Sequence, residues 1–161
     1  MKHSAPLLAL CLACAGLGAA EDYSGPRPPK PDIPYLLHAD ELIPTEVTEA
    51  REQGRGRDES VYVMAGVSSP ARTPLAEPIF LFESQKIAPE SLQLYRLEVK
   101  NGSRQVVLSR KKKSARPLRL MVTRLAEGLF RIEVNEGLGL ENGQYSLSPA
   151  GSNAAFCFEV Y

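Results

Sequence analysis

The residues best suited to acid–base or metal chemistry lie in one stretch of the chain. His38 is followed by four carboxylates, which are Asp40, Glu41, Glu46 and Glu49. An imidazole moves protons near neutral pH, and carboxylate oxygens bind hard cations. The spacing of these side chains matches no metal-binding loop, so we read them as a solvated acidic edge. A small enzyme that depends on a carboxylate pair is kept as an alternative function.

Histidine is scarce in this sequence. The other histidine, His3, lies in a leader that we expect to be removed, so a catalytic triad would depend on His38 alone. The sequence contains no nucleophile elbow, phosphate-binding glycine loop, zinc-protease motif or Cys-x-x-Cys pair. It therefore predicts no cofactor, no metal site and no catalytic residue set.

The strongest cluster of charge is basic. It consists of Arg110, Lys111, Lys112, Lys113, Arg116 and Arg119. Such a segment attracts anions with an affinity that falls as salt rises, so it is our candidate binding site. The predicted partner is an anionic polysaccharide, a lipid headgroup or a protein of the cell envelope. The alternative is a solvated connection whose charges keep strand ends from pairing with other chains.

The charge balance disfavours nucleic acid as a partner. The chain carries 19 basic and 19 acidic residues, which gives a formal net charge of +0. A nucleic-acid-binding domain normally shows an overall basic character and aromatic residues that stack on bases. The basic segment holds no aromatic residue between positions 110 and 116.

Residues 1–20 have the pattern of an export signal. Met1-Lys2-His3 is a short basic start, residues 7–17 form an apolar run, and Gly18-Ala19-Ala20 offers small residues to signal peptidase. We therefore expect a protein that is secreted or held in the periplasm or cell envelope. Lipid anchoring at Cys14 is the alternative, which Cys11 disfavours because a lipidation signal normally has leucine there. No later apolar run is long enough to span a bilayer, so no transmembrane segment is expected in the mature chain.

Cys157 is the one cysteine outside this leader. It lies between Phe156 and Phe158 in a segment typical of a strand. A lone thiol in such a setting packs as a small hydrophobic side chain, and we assign Cys157 a structural role.

Residues 21–37 are expected to form an extended arm. The segment contains five prolines, which are Pro26, Pro28, Pro29, Pro31 and Pro34. Proline fixes the backbone and removes a donor, which favours a polyproline-like conformation. The apolar residues 33–37 predict that the arm docks on the domain as an edge strand. As an alternative function, the arm adds a strand to a neighbouring subunit and makes the protein a structural part of an envelope assembly.

Residues 38–161 show the alternation of an antiparallel β-protein. In 117–125 and again in 129–135, apolar and polar residues alternate with a period of two. Residues 79–82, 144–148 and 155–161 predict three further strands. The stretch 38–57 satisfies neither helical nor strand periodicity, and we favour a strand over 45–52 that forms a hairpin with 60–67.

Asn101-Gly102 is the clearest local signal in the sequence. This dipeptide accepts the positive φ angles of a type I′ turn, so it predicts a hairpin between 92–100 and 104–109. With Ser103 it also matches the acceptor pattern for N-glycosylation, although the turn explains it sufficiently. We assign Asn101 and Gly102 a structural role.

The segment from Leu140 to Tyr145 resembles the tyrosine corner of immunoglobulin-like and other Greek-key β-sandwich domains. The resemblance covers six residues, and Asn142 stands where those domains often have proline. It implies a structural Tyr145 whose hydroxyl bonds to upstream backbone.

Together these patterns predict an all-β fold. We expect one antiparallel β-sandwich of about seven to nine strands, of immunoglobulin-like or Greek-key type, after the signal peptide and the arm. The leading functional hypothesis is an exported, non-catalytic interaction module.

Overall fold

The computed structural model describes residues 23–54, 58–109, 114–135 and 137–161. The described chain consists of strands joined by turns, with a single turn of 3-10 helix at Pro89–Ser91. The strands in chain order are β1 (Tyr35–His38), β2 (Glu41–Pro44), β3 (Glu46–Glu49), β4 (Arg51–Gly54), β5 (Glu59–Ala65), β6 (Arg72–Thr73), β7 (Ile79–Glu83), β8 (Leu92–Lys100), β9 (Ser103–Ser109), β10 (Leu120–Ala126), β11 (Leu129–Val134), β12 (Gly143–Pro149) and β13 (Ala154–Val160). The all-β sandwich predicted from the sequence is therefore confirmed.

The number of strands is larger than the sequence indicates. The described residues form 13 strands, against the expected seven to nine. The additional strands are short: β1 to β4 have four residues each and β6 has two. Four residues hold only two periods of alternation, too few to distinguish a strand from a loop by pattern.

The smaller of the two sheets has five strands in the order β10-β11-β7-β1-β2, all antiparallel. The prediction of an edge strand at the end of the arm is wrong, because β1 lies between β7 and β2. Tyr35 pairs with Leu81 on one side and with Pro44 on the other. β1 is paired with β7 on one side and with β2 on the other, so it has no free edge for strand addition to another subunit.

Asp32 fastens the arm to the smaller sheet. Its carboxylate accepts hydrogen bonds from the backbone N–H groups of Gln85, Lys86 and Ile87 at 2.9 to 3.1 Å, and its own N–H donates to the carbonyl of Glu83 at 2.7 Å. Burial raises the pKa of the Asp32 carboxyl, but the three N–H groups and the charge of Lys86 outweigh it, and the net pKa is lowered.

The larger sheet follows the order β3-β13-β12-β8-β9-β5-β4, with β6 in parallel pairing on β13. Its two end strands are successive in sequence, since only Ala50 separates β3 from β4. The segment 46–54 thus pairs with β13 through its first half and with β5 through its second half. The chain therefore closes this sheet on itself, and we call the result the strand ring. The hairpin expected with β5 is confirmed for β4, but the strand expected over 45–52 is divided at Ala50, and its first part, β3, pairs with β13.

β8 changes neighbours along its length. Its residues 92–97 pair with β12, whereas 98–100 pair with β9. Where β8 and β9 separate, residues 115–118 pass between them. Ala115 N–H donates to the carbonyl of Val107 at 3.1 Å, and Leu118 N–H donates to that of Leu94 at 2.8 Å. This connection is thereby built into the wall of the strand ring.

Two strands, β8 and β13, are shared by two hydrophobic cores. In β13, Phe156 and Phe158 pack towards the smaller sheet, while Ala155 and Cys157 face the interior of the strand ring. The same alternation in β8 sends Leu94 to the first core and Tyr95 to the second. Because side chains of a strand alternate between faces, one layer of strands serves both interiors.

The two local predictions made at turns hold in the structure. Asn101 and Gly102 have φ angles of 52° and 77° and join β8 to β9. The hydroxyl of Tyr145 donates to the carbonyl of Glu141 at 2.7 Å, which is the bond that the tyrosine-corner resemblance implies, and its ring stacks on Phe158. Within the described ranges, no helix has the length and apolar character needed to cross a bilayer.

Candidate ligand-binding site

The interior of the strand ring opens to solvent at one end through a cavity of about 300 Å³. Its lining comes from six of the ring strands, from Ala50 between β3 and β4, and from the turn between β12 and β13. The residues that line it are Ala50, Glu52, Tyr62, Met64, Gln93, Tyr95, Val106, Leu108, Ser146, Ser148, Pro149, Gly151, Ser152, Asn153 and Ala154. A cavity of this size lies at the lower end of the range of ligand sites, about 300 to 1,000 Å³.

Two tyrosines and a glutamine form one wall. The Tyr95 hydroxyl donates to the side-chain oxygen of Gln93 at 3.0 Å, which holds the amide along the cavity. Burial, with the nearby Tyr62 phenol as a further cause, raises the pKa of Tyr95. The Tyr95 phenol therefore stays neutral and keeps its proton for hydrogen bonding.

Small polar side chains on β12 lie beside Tyr95 and Gln93, because Ser146 pairs with Tyr95 and Ser148 with Gln93 in the β8–β12 register. Ser146 and Ser148 belong to β12, and their hydroxyl oxygens are 3.5 Å apart. Ser152 and Asn153 belong to the following turn, where the Ser152 hydroxyl accepts a hydrogen bond from the N–H of Ala154 at 3.1 Å. These hydroxyl and amide groups both donate and accept, and none of them carries a charge.

The floor of the cavity is apolar. Met64 and Val106 are buried there, and the sulfur of Met64 lies 3.8 Å from that of Cys157. Burial raises the pKa of the Cys157 thiol to about 12. The thiol is protonated at any physiological pH, which agrees with the structural role expected for this residue.

Within the described ranges, Glu52 is the one charged residue of the cavity lining. It is exposed at the mouth, and the Ser60 hydroxyl donates to its carboxylate at 2.5 Å. Among the residues that the structure describes, the lining includes no lysine and no arginine.

The other end of the strand ring is closed by a buried ion pair. Arg104 of β9 donates to both carboxylate oxygens of Glu46, at 2.6 and 2.9 Å, and to the carbonyls of Ala65 and Gly66. Burial raises the pKa of Glu46, but hydrogen bonds from Arg104 and Ser69 outweigh it and lower the net pKa. The hydrogen bond with Glu46 raises the pKa of Arg104. Both groups are therefore charged, and the pair is bidentate.

Sequence reasoning missed the role of Arg104. The signal that would have found it is its position in β9, where Arg104, Val106 and Leu108 all face the ring interior. A charged residue in register with an apolar face needs a buried partner. The partner, Glu46, is 58 residues away in the chain, and nothing local in the sequence points to it.

The structure describes part of the predicted basic site. Arg110, Lys111, Lys112 and Lys113 lie outside the described residues, while Arg116 and Arg119 are exposed beside the strand ring. The described residues on either side of this run belong to the strand ring. Leu108, two residues before it, lines the cavity, and Ala115, two residues after it, packs against the ring core.

The acidic group around His38 is not brought together. His38, Asp40 and Glu41 lie at the β1–β2 hairpin of the smaller sheet, and all three are exposed. Glu46 and Glu49 belong to the larger sheet, where Glu46 is paired with Arg104 and Glu49 is exposed. The described part of the chain holds no group of three or more histidine, cysteine, aspartate or glutamate side chains placed to bind a metal ion.

Comparison with known proteins identifies no relative. No protein-family model matches the chain, and neither the curated proteins nor the solved structures give a significant match.

Proposed function

We propose that this chain is an exported, non-catalytic binding module that takes an anionic ligand at the open end of the strand ring. The observation that carries the proposal is the polar cavity, whose lining includes Leu108, two residues before the basic run 110–113 in the sequence. A concave site with a few converging polar groups on an apolar floor is the usual form of a ligand-binding pocket.

The position of the basic run supports an anionic ligand. The run follows Ser109, the last residue of β9, and the described chain resumes at Ser114. Residues on both sides of the run belong to the cavity wall or to the ring core. Four consecutive cations attached at this rim attract anions over about 10 Å at moderate salt. The ligand classes with suitable charge are an anionic polysaccharide, a lipid headgroup and an acidic surface of an envelope protein.

The leader supports export. Residues 1–20 have the basic start, apolar run and small-residue end of a signal peptide. An exported module with a single buried thiol and no disulfide partner among the described residues depends on its hydrophobic cores for stability. We place the mature protein outside the cytoplasm, as a secreted, periplasmic or envelope component.

The test compares charged and neutral probes with the protein produced from its full-length precursor. Binding is measured at low and high salt to dextran sulfate, to unmodified dextran, and to phosphatidylcholine vesicles with and without phosphatidylglycerol. We expect salt-sensitive binding to an anionic probe. A variant with Lys111→Gln, Lys112→Gln and Lys113→Gln should lose most of it, because the long-range attraction is removed.

The matched control neutralises three exposed cations elsewhere, with Lys30→Gln, Lys100→Gln and Arg124→Gln. It removes the same net charge and should retain most of the binding. Equal losses in the two triple variants would overturn the proposed site. Absence of binding to every charged probe at low salt would overturn the proposed function.

A further inference from the structure

We infer that two copies of this chain pair through strand β10, which lies at one edge of the smaller sheet, across a two-fold axis at Val122. The inference goes beyond the proposed function, because it concerns a different surface and does not depend on ligand binding in the cavity. Three features carry it: the outward-pointing backbone groups of β10, the groove beside them, and the opposite charges of Glu90 and Arg124.

β10 has a paired side and an outer side. It ends the order β10-β11-β7-β1-β2, with β11 as its neighbour among the described strands. The Asn135 N–H donates to the carbonyl of Arg119 at 2.9 Å on the side of β11, and the Leu118 N–H donates to the carbonyl of Leu94 at 2.8 Å on the other side. The backbone groups of successive residues therefore point alternately towards β11 and away from it.

The outer edge runs from Leu120 to Arg124. By the same alternation, the N–H and C=O groups of Leu120, Val122 and Arg124 point away from β11. The bridge at Leu118 comes before this stretch, and a β-bulge between Arg124 and Ala126 follows it. A strand edge of this kind is a template for pairing with another chain.

A groove of about 450 Å³ lies beside this edge. Glu90 and Leu92 line one side of it, and Leu118, Leu120 and Val122 belong to the lining as well. The last three side chains pack against the sandwich core and are half-buried. The groove gives another strand access to the outward backbone groups, and that strand would cover these three side chains.

A second β10 matches this edge in an antiparallel register. Val122 is the midpoint of the stretch 120–124, so a two-fold axis there pairs Leu120 of one copy with Arg124 of the other. All three outward-pointing residues then meet outward-pointing residues. The same register places Thr123 of one copy beside Met121 of the other, which is 46% exposed in the single chain. Such an interface uses the same patch on both copies and closes at two.

The charges at the groove favour a second copy as the occupant. Side chains on one face of a strand recur at every second residue, so Arg124 shares a face with Leu120 and Val122, which line the groove. Arg124 of the second copy therefore lies opposite Leu120, on the side where Glu90 contributes a carboxylate. Arg119, the other charged residue of the described lining, is one position out of step and belongs to the opposite face. The two-fold axis brings Arg124 to Glu90 twice, and such complementarity selects partner and register.

The experiment measures association of the protein produced from its full-length precursor. Sedimentation equilibrium over a range of protein concentrations should show monomer and dimer in equilibrium. Arg124→Glu and Glu90→Arg should each raise the dimer dissociation constant about tenfold, because each brings like charges together at both ends of the interface. A double variant with Glu90→Arg and Arg124→Glu restores opposite charges, and its dissociation constant should return towards that of the wild type.

A matched control and a second measurement accompany these variants. Glu98→Arg combined with Lys100→Glu reverses two exposed charges at the β8–β9 hairpin and should leave the dissociation constant unchanged. Hydrogen exchange of the wild type needs no substitution. The N–H of Val122 should exchange more slowly in concentrated than in dilute protein, whereas that of Asn101, in the hairpin turn, should exchange equally in both.

A protein that stays monomeric at every concentration would overturn this interface. A dimer that forms equally well in both single variants, or exchange at Val122 that is independent of concentration, would overturn it too. Binding of an acidic peptide at β10 by a monomeric protein would assign the edge to another partner and likewise refute pairing between copies. The proposed function is tested separately, because its triple lysine variant leaves β10 and Glu90 unchanged.

Discussion

At the scale of single residues, the molecule separates its charges into two settings. Arg104 is enclosed, with 1% of its side chain exposed, and its partner Glu46 has 23% exposed. Arg96 and Glu141 form an ion pair at the surface, with 52% and 78% exposed. A buried pair cannot lose one member without leaving the other unpaired and dehydrated, whereas a surface pair is replaced by water.

We predict that Glu46→Gln lowers the free energy of unfolding by about 3 kcal/mol, because Arg104 is then buried without a counter-charge. The same substitution at the surface pair, Glu141→Gln, should cost less than about 1 kcal/mol. Urea denaturation followed by circular dichroism measures both. Equal losses of unfolding free energy in the two variants would show that burial does not make the Arg104–Glu46 ion pair more important for stability than the surface pair.

Some residues near the candidate site could be recognised from the sequence, and others could not. The basic residues 110–113 were visible because like charges adjacent in sequence need no fold to be recognised. Tyr62, Tyr95 and Gln93 were read as ordinary strand residues, since a period of two gives the side on which a residue lies and not what it faces. The strands that line the cavity are brought together by pairing between distant segments, such as β8 with β12 and β5 with β9.

At the scale of elements, one carboxylate attaches the proline-rich arm to a turn. Asp32 has a φ angle of 58° and accepts three backbone hydrogen bonds from residues 85–87. Its pKa is lowered in the fold, so the unfolded chain binds a proton more readily than the folded one. The stability that Asp32 contributes is thus fully present above its unfolded pKa and is lost as the pH falls through its folded pKa.

We predict that Asp32→Asn lowers stability at pH 7 by about 1 kcal/mol, in the range of side-chain bonds to backbone N–H groups. Asparagine tolerates positive φ, so the backbone is retained while the charge is removed. The difference in the free energy of unfolding between wild type and variant should shrink as the pH drops below about 4. Thermal unfolding at a series of pH values tests this, with Asp40→Asn at the exposed β1–β2 hairpin as control. If the difference in stability between wild type and Asp32→Asn stays constant down to pH 2, ionisation of Asp32 does not contribute to stability as predicted.

Elements with local signals could be predicted, and those defined by distant partners could not. The β8–β9 hairpin follows from Asn101-Gly102, and β10 and β11 follow from their alternation. The position of β1 inside the smaller sheet depends on β7, some forty residues later. The inward residues of the segment 46–54 include Glu46, Ala50 and Glu52, which are small or charged. Its sequence therefore does not show that it lines an interior.

At the scale of the whole molecule, the two shared strands, β8 and β13, join the two cores into one unit. Phe158 and Cys157 are neighbours in β13 and belong to different cores. A change of packing on one face of these strands shifts their backbone and therefore changes the packing on the other face. We therefore expect the sandwich and the strand ring to unfold together, as single domains of this size usually do.

We predict that Met64→Ala in the ring interior destabilises both cores by about 2 to 5 kcal/mol, as other core truncations do. Met121→Ala, at an exposed methionine of β10, should have little effect. Native-state hydrogen exchange of wild type and both variants measures the result. In Met64→Ala, the slowest amides of β7 and β11 should exchange faster by the same factor as those of β5 and β9. Faster exchange confined to β5 and β9 would show that the two cores are independent.

The closure of the strand ring by a single segment has an evolutionary consequence. One residue, Ala50, separates the half that pairs with β13 from the half that pairs with β5. An insertion at this point would reverse the facing of the second half, turning Glu52 outward and bringing Arg51 to the cavity mouth. The sign of the charge at the entrance is thus encoded by the spacing of residues as well as by their identity. We expect descendants of this chain to substitute the exposed residues of 47–54 before they change the length of the segment.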